Sequence, residues 1–289
     1  MSPEVSVKDL LEAGAHFGHQ VSRWNPKMRP YIFSAKGGIH ILDLEQTAEA
    51  LKKACKFVTE TVTLGNTVLF VGTKKQAKTI IEEEAKRTGQ FYVCNRWLGG
   101  MLTNFKTIKA SIDRLESLEK QAASPDFEKF TKKERLMAER EIAKLLNVLA
   151  GIRNMQKLPG CVFIVDPKKE DIAKKEAKRL GIPIVAMLDT NCNPEGVDYV
   201  IPANDDAIRS IQLVTKAIGD ACEEGGRRRQ AMLVKEGLKE EGAEKAPGLA
   251  TEREMGGEVR AYVGKGKKGE KTEAEEEDVK KFSSAKVEI

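Results

Sequence analysis

Short apolar runs alternate with charged amphipathic stretches along most of the chain. The runs are rich in β-branched residues and lie at residues 67–73, 91–93, 161–167, 182–190 and 199–205. Stretches with helical spacing lie around and between them, at residues 44–64, 75–88, 170–180 and 206–222. Continuously apolar strands that alternate with helices favour a mostly parallel sheet with helices on both faces. The pattern therefore predicts a doubly wound α/β core.

Residues 104–155 break this alternation, because they show helical spacing but no strand pattern. Apolar positions recur three and four residues apart in residues 105–118, and again in residues 138–152. Between these stretches, Thr131 and Glu134 have the spacing of a capping box, which begins a second helix. Two successive helices with heptad-like spacing predict an antiparallel coiled-coil hairpin inserted into the α/β core. A projecting hairpin of this kind is typical of a docking arm.

The chain is therefore predicted to have three parts. The α/β core is discontinuous and consists of residues 1–103 and 156–222, with the hairpin between them at residues 104–155. From residue 223 onward Gly, Glu and Lys dominate, and such a segment cannot bury enough apolar surface to offset the entropy of ordering. Residues 223–289 are predicted to form a charged, largely disordered tail, although the last core helix could extend to about Lys239.

Near its beginning the chain combines structural and basic residues. Residues 31–42 predict a β-hairpin that turns at residues 36–38. Just before it, residues 23–30 contain two prolines, which predict an extended path, together with basic side chains and a tryptophan. A basic extended segment with an aromatic ring is a common means of following a nucleic-acid backbone. A tryptophan that anchors a rigid loop in the core is the alternative interpretation, and both could hold.

Charge is distributed unevenly along the chain. The whole chain has 49 Lys and Arg, 44 Asp and Glu and a formal net charge of +5. Residues 223–289 contain 15 of the basic and 16 of the acidic residues, so the preceding part of the chain has a net charge of +6. This favours a polyanionic partner, although a soluble basic protein without such a partner fits the net charge equally well.

Composition excludes several other classes of protein. Aromatic residues make up only 6% of the chain, which leaves few rings for a base-stacking platform. The five cysteines are far apart and form no C-x-x-C motif, so the sequence predicts neither a zinc ribbon nor a disulfide framework. No apolar run approaches the roughly 18 residues of a membrane span, and the first residues do not resemble a signal peptide. We therefore expect a cytoplasmic protein.

Two kinds of loop are candidates for phosphate binding. The segment NRWLGGMLTNFKT, residues 95–107, is a Gly-rich turn that leads into the first helix of the predicted hairpin. Its glycines could instead allow a tight turn into the docking arm, which would leave Arg96 and Lys106 free to meet an external phosphate. Lys74 and Lys75 stand at the beginning of another helix, where the helix dipole opposes them, so a nearby phosphate would explain their position.

A possible metal site combines histidines and carboxylates. His16 and His19 form an H-x-x-H pair, and Asp189 and Asp205 follow predicted strands at the edge where a doubly wound sheet binds ligands. Imidazole and carboxylate groups together could bind a divalent metal, with zinc as the candidate and a structural role. The alternative is that these side chains only hydrogen-bond the loops together above the sheet.

Taken in series, the motifs resemble one family closely from Val5 to Ala221. They are HFGHQ, RWNPKMRPYIF, ILDLEQT, LFVGTKKQA, NRWLGGMLTNFKTI, KLPGCVFIVDP and KEAKRLGIPIVAMLDTNCNPEGVDYVIPANDDAIRSI. In this order and at these spacings they resemble the second protein of the small ribosomal subunit in its bacterial form. The resemblance implies a flavodoxin-like α/β core with the inserted coiled coil, no enzymatic activity and a place on the ribosome.

The resemblance also implies partners. These are small-subunit rRNA and neighbouring ribosomal proteins, including the first small-subunit protein, which binds mRNA. No small-molecule substrate or membrane is implied. The residues expected to contact rRNA are Arg23, Trp24, Lys27, Arg29, Lys74, Lys75, Arg96 and Lys106.

The alternative function is a nucleotide- or metal-dependent enzyme on the same doubly wound fold, because a fold does not determine a function. The sequence has no G-x-x-x-x-G-K-[ST] motif and no G-x-S-x-G motif that would support it.

Overall fold

The computed structural model describes residues 5–244, without the side chains of residues 126, 128 and 235–244. The strands are, in chain order, β1 Phe17–Gln20, β2 Ile32–Lys36, β3 Ile39–Leu42, β4 Val68–Val71, β5 Phe91–Val93, β6 Cys161–Val165, β7 Ile184–Leu188 and β8 Tyr199–Pro202. The α-helices are α1 Val7–Glu12, α2 Leu44–Thr63, α3 Lys78–Arg87, α4 Phe105–Ala122, α5 Lys132–Leu149, α6 Asp171–Arg179 and α7 Ile208–Glu244.

The central sheet consists of the five apolar runs predicted to be strands. It is parallel throughout and has the order β5-β4-β6-β7-β8. Numbered by chain position, this is the order 2-1-3-4-5, which defines the flavodoxin-like arrangement. The predicted α/β fold is therefore confirmed. The strand order reverses between β4 and β6, and in such sheets a ligand typically binds at the carboxyl end of this switch point.

Side chains alternate between two apolar layers, one on each face of the sheet. Phe70 and Phe163 pack with α2, α3 and α7, whereas Leu69 and Ile164 pack with α6 and the beginning of α4. The alternation follows from the two-residue period of a strand. Because both faces are covered, strands such as β6 are buried at every position. This burial explains why the strand sequences are apolar without interruption.

The segment before β2 differs from the prediction. Residues 23–30 were expected to be extended, but Val21–Arg23 and Pro26–Tyr31 form short 3₁₀ helices. Asn25 caps the second of these by accepting a hydrogen bond from the Lys27 N–H at 3.0 Å, and Pro26 occupies its first turn. A proline fixes only φ, and its φ suits the first turn of a helix as well as an extended chain. The hairpin of β2 and β3 forms where it was predicted.

Residues 104–155 form two α-helices, α4 and α5, which contact each other. This segment contains no strand, as the apolar spacing predicts. The predicted capping box is present, because Thr131 accepts from the Glu134 N–H and the Glu134 carboxylate accepts from the Thr131 N–H. We call α4 and α5 the helical pair. Its coiled-coil character stays a prediction, as does the predicted division of the chain into core, hairpin and tail.

The last helix extends into the predicted tail. The sequence predicts a largely disordered segment from residue 223 but allows the helix to extend to about Lys239, and α7 continues without a break to Glu244. One reason is Gly225, where a Cβ atom would lie 2.7 Å from the Thr59 carbonyl oxygen, so glycine allows α7 to lie directly on α2. The rest of the predicted tail, residues 245–289, lies outside the described residues. Of the helices in residues 5–244, none combines the length and apolar composition needed to cross a membrane.

Candidate nucleic-acid interface and its buried charge cluster

The carboxyl edge of the sheet gathers charged residues from four loops. Lys74 follows β4, and Asp166, Asp189 and Asp205 follow β6, β7 and β8. Parallel strands end at the same edge, so residues distant in sequence meet there. All three aspartates are buried. We call these four residues, together with His19 and Asp206, the carboxyl-edge cluster.

Lys74 is the centre of this cluster. Its Nζ lies 2.8 Å from Asp205 Oδ1, 2.9 Å from Asp206 Oδ1 and 3.1 Å from Asp166 Oδ2. Burial acts to lower the pKa of Lys74, but the charges of these carboxylates, Asp205 first, raise it above its ordinary value. The lysine is therefore protonated, and its side chain is only 14% exposed. Lys74, which the sequence predicts to contact phosphate, thus takes part in an internal ion-pair network.

His19 extends the cluster through β1. Its Nδ1 lies 2.8 Å from Asp189 Oδ2, and its Nε2 lies 3.5 Å from Asp206 Oδ2. The hydrogen bond to Asp189 raises the pKa of His19 above its ordinary value against the opposing effect of burial. The neighbouring Gly18 permits this approach, because a Cβ atom there would lie 2.6 Å from the Thr190 methyl group.

Asp205 is the most strongly perturbed carboxylate of the cluster. It is fully buried, and burial followed by the charges of Asp166 and Asp189 raises its pKa to about 7, although Lys74 opposes the shift. Its Oδ2 is buried without a hydrogen-bond partner. Carboxylates this close together disfavour one another's ionised form. The arrangement therefore favours either a shared proton or a further cation.

Two groups of residues in the cluster have the spacing of metal ligands. The first is His19, Asp205 and Asp206, and the second is Asp166, Cys192 and Asp205. Asp189 belongs to neither group and instead orients the His19 ring. His16, the fourth predicted ligand, is also outside both groups; its Nδ1 is buried without a partner, and burial lowers its pKa. The structure thus brings His19 and Asp205 together but not all four predicted ligands.

The loop after β4 holds an internal anion. Thr73 donates its backbone N–H, at 3.0 Å, and its hydroxyl to the Glu170 carboxylate. Glu170 is only 4% exposed. The position that phosphate occupies in many strand-to-helix loops is therefore filled by a side chain of the same protein.

The Gly-rich loop of residues 97–103 also binds an internal carboxylate. Glu176 of α6 accepts hydrogen bonds from the Trp97 indole N–H at 3.1 Å and the Gly100 backbone N–H at 2.7 Å. It further accepts from the backbone N–H groups of Leu102 and Thr103, both at 3.0 Å, and from the Thr103 hydroxyl. Although burial raises the pKa of Glu176, these hydrogen bonds hold it below the ordinary value. The loop therefore binds an anion, the Glu176 carboxylate, and this contact fixes the beginning of α4 to α6.

The sequence reasoning missed Glu170 and Glu176 as anions. A signal for Glu176 was present, because Ala173 and Ala177 of the same helix are spaced to face the core and Glu176 lies on their side. A charged residue at a buried helical position requires a partner. Its partner loop lies more than 70 positions earlier, so the sequence alone could not identify it.

The other residues predicted to contact RNA differ in whether their side chains are exposed and unpaired, and so available to phosphate. Lys27 pairs with Glu195 at 2.5 Å, and Trp24 is half-buried with its ring 5.2 Å from that of His40. The other five side chains are exposed, and within residues 5–244 none of them forms an ion pair: Arg23, Arg29, Lys75, Arg96 and Lys106. We call these five residues the free cations. An unpaired exposed cation is what a phosphate contact requires.

Comparison with known proteins identifies the family of this chain. The sequence model of the family described as "Ribosomal protein S2" matches residues 10–225. The small ribosomal subunit protein uS2 of Geotalea uraniireducens is 54% identical over 248 residues, which cover 86% of this chain and 97% of that protein. The protein of the same name from Roseiflexus castenholzii is 59% identical over 228 residues, covering 79% of this chain and 87% of the relative. The family match and the identity to these relatives both show that this chain belongs to the ribosomal protein S2 family.

Proposed function

We propose that this chain is a structural constituent of the small ribosomal subunit and binds small-subunit rRNA and neighbouring ribosomal proteins. The family match over residues 10–225 is the observation that carries the proposal. The relatives are themselves named as small-subunit proteins and are similar along most of their own length. The free cations supply the phosphate contacts, because they are exposed and form no ion pair in the described part of the chain, residues 5–244.

Co-sedimentation tests this function directly. Tagged full-length chain expressed in bacteria should be recovered with small ribosomal subunits in near-stoichiometric yield. Binding of the purified protein to small-subunit rRNA should weaken steeply as salt rises, because phosphate contacts release counterions. Recovery only in the soluble fraction, together with salt-independent RNA binding, would contradict the proposal.

The enzyme alternative has less support than the ribosomal role. In a flavodoxin-like sheet a ligand would sit at the switch point between β4 and β6. There, Lys74 and Asp166 bridge the two loops at 3.1 Å, and Glu170 fills the loop after β4. The polar groups that could bind a cofactor phosphate are thus engaged with each other.

The helical pair is proposed as a docking arm for a neighbouring ribosomal protein. This role is supported by the position of the helical pair. Hydrogen bonds from the loop of residues 97–103 to Glu176 fix the beginning of α4 to the core. Deletion of residues 111–144 should leave the core folded and reduce incorporation into subunits. Unchanged incorporation would exclude the role.

Among the protein partners we propose the first small-subunit protein, which binds mRNA; the support is the resemblance to bacterial relatives. A pull-down with that purified protein tests the contact. Retention by the wild-type chain, but not by an unrelated protein of similar net charge, is expected.

A structural divalent cation, with zinc as the candidate, is also proposed at the carboxyl-edge cluster. His19 donates from Nδ1 to Asp189 and so turns Nε2 towards Asp206, as metal-binding histidines commonly do. The buried, unpartnered Oδ2 of Asp205 supplies a second acceptor. Cys192 adds a thiol to the alternative ligand group, and sulfur favours zinc over magnesium.

Metal analysis of the purified full-length chain tests this site. After extensive dialysis, native mass spectrometry should show one retained Zn²⁺, which is lost in Asp205→Asn. The matched control is Asp198→Asn, since Asp198 also lies next to β8 but outside both ligand groups. No retained metal in the wild-type chain, or equal retention in Asp205→Asn, would exclude the site.

A further inference from the structure

The outer surface of α6 and its preceding turn is strongly basic. Residues 168–179 read KKEDIAKKEAKR and contain six cations and three carboxylates. The cations are exposed or half-exposed: Lys168, Lys169, Lys174, Lys175, Lys178 and Arg179. We call these six residues the α6 basic face.

Two of the three carboxylates do not neutralise this face. Glu170 is buried against Thr73, and Glu176 is buried in the loop of residues 97–103. Only Asp171 remains on the outer side, where it pairs with Lys175 at 2.5 Å. The inward turn of Glu170 and Glu176 thus leaves a positive surface that a count of charges along the sequence does not show.

The helix α3, which also follows a strand of the same sheet, has a different surface. Lys86 pairs with Glu82 at 2.6 Å, and Arg87 pairs with Glu84 at 2.6 Å. These two cations are therefore matched by acids of the same helix, as is usual for a solvated face. Among the residues of the α6 basic face, only Lys175 is matched in this way, by Asp171. The unmatched charges of the face repel one another, and the helix dipole further opposes Lys168 and Lys169 at its beginning.

We propose that the α6 basic face binds the phosphate backbone of small-subunit rRNA, an inference that rests on the proposed ribosomal function. The helix α6 alone extends for roughly 13 Å at the helical rise, which is long enough to meet more than one phosphate of one strand. Lysine predominates, and lysine contacts phosphate as a point charge without reading a base. The face therefore adds affinity and orientation rather than sequence specificity.

The position of the face supports the same partner. Glu176, on the inner side of α6, holds the loop of residues 97–103. Arg96 and Lys106, two of the free cations, lie just before and just after this loop. The α6 basic face and these two residues therefore belong to the same side of the sheet. An acidic protein segment is the competing occupant, and the experiment below separates it from RNA.

Matched triple variants of the full-length chain test the inference. The first is Lys174→Gln with Lys178→Gln and Arg179→Gln, which removes three charges from the face. The control is Lys56→Gln with Arg209→Gln and Lys216→Gln, three exposed cations of α2 and α7 on the opposite face of the sheet. Affinity for purified small-subunit rRNA is measured between about 50 and 200 mM salt.

The first variant should lose at least tenfold in affinity near physiological salt. The slope of log K against log salt should fall by about 2, because each phosphate contact contributes roughly 0.7 to 0.9. The control triple should bind like the wild-type chain, and both variants should keep the wild-type circular dichroism spectrum. Equal affinities and slopes for the two triples would overturn the inference.

Two further outcomes separate the inference from the function on which it rests. A wild-type chain that neither binds rRNA nor sediments with small subunits would contradict the proposed function itself. If the α6 triple binds rRNA normally but fails to enter small subunits, the partner of the face is a protein, and the inference is wrong while the function stands.

Discussion

Lys74 and Lys75 are neighbours in sequence but lie in opposite environments. Lys74 turns inward and lies within 3.1 Å of three carboxylates, whereas Lys75 is exposed and forms no ion pair within residues 5–244. The first cation stabilises the edge of the sheet, and the second is available to a phosphate. The same residue type thus serves the fold at one position and recognition at the next.

The comparison extends to the loops. The loop after β4 and the loop of residues 97–103 both offer backbone N–H groups of the kind that bind phosphate, and they hold Glu170 and Glu176 instead. Close to these loops in the sequence are exposed cations, such as Lys75 and Arg96, that form no ion pair with the residues the structure describes. The backbone N–H groups of these two loops therefore stabilise the fold, and exposed side-chain charges remain available to an external polyanion.

The largest effect is expected from removal of Lys74. Lys74→Met should lower the free energy of unfolding by about 3–5 kcal/mol, because buried Asp166 and Asp205 lose their partner. Lys75→Met should change it by less than about 0.5 kcal/mol. Urea denaturation of the two variants measures the difference. Equal stabilities would show that the cluster does not depend on Lys74.

A smaller loss is expected when the anion of the 97–103 loop is replaced. Glu176→Gln should cost about 2–4 kcal/mol, since a neutral amide satisfies fewer of the N–H donors than a carboxylate. The folded state lowers the pKa of Glu176 from its ordinary value of 4.5. Its contribution should therefore be full above about pH 4.5 and decline as the pH falls through the folded pKa.

Urea denaturation of both proteins across the acid range checks this dependence. The difference between wild type and Glu176→Gln should be constant near neutral pH and should shrink on acidification. A difference that grows in acid would mean that Glu176 is not ionised in the folded protein.

Replacement of free cations should leave stability intact and reduce RNA binding. In Lys75→Gln with Arg96→Gln and Lys106→Gln, affinity for small-subunit rRNA should fall about tenfold or more near physiological salt, with a reduced salt slope. Thermal denaturation should match the wild type, because these side chains have no ion-pair partners among the described residues 5–244. A variant that unfolds at a lower temperature than the wild type but binds RNA with normal affinity would contradict this prediction.

The smallest effect is expected at a short ion pair on the surface of the helical pair. Arg114 Nε lies 2.6 Å from Glu141 Oε1, a shorter distance than any of those around Lys74, but both side chains are well exposed. Exposed pairs are screened by water and salt. Arg114→Ala should leave the melting temperature within experimental error. A clear decrease would show that distance, rather than burial, determines the strength of these pairs.

Much of the fold was predictable because burial on both faces makes its strands apolar. The five runs and the helices between them are found at the expected positions, and residues 104–155 are helical. The extension of α7 towards Lys239 was allowed by the sequence, but the reason for it was not visible, because Gly225 resembles a tail residue until its contact with Thr59 is known. The extended path of residues 23–30 was wrong because proline suits a 3₁₀ turn equally well.

The site was only partly predictable, for a related reason. The positions of Asp166, Asp189 and Asp205 after neighbouring strands predicted that they would meet. Nothing in the sequence distinguishes Lys74 from Lys75, because only the course of the chain after β4 determines which one points inward. Likewise, a Gly-rich loop predicts an anion but not whether that anion is RNA or Glu176.

The bond between Glu176 and the loop of residues 97–103 also has a consequence for synthesis. The carboxylate lies 73 positions after the Thr103 N–H that it accepts from, and the whole helical pair is translated between them. At roughly 5–20 residues per second, α4 leaves the ribosome several seconds before its anchor is made. The contact between the loop and Glu176 therefore forms only when α6 folds onto the sheet, after both helices of the pair have been made.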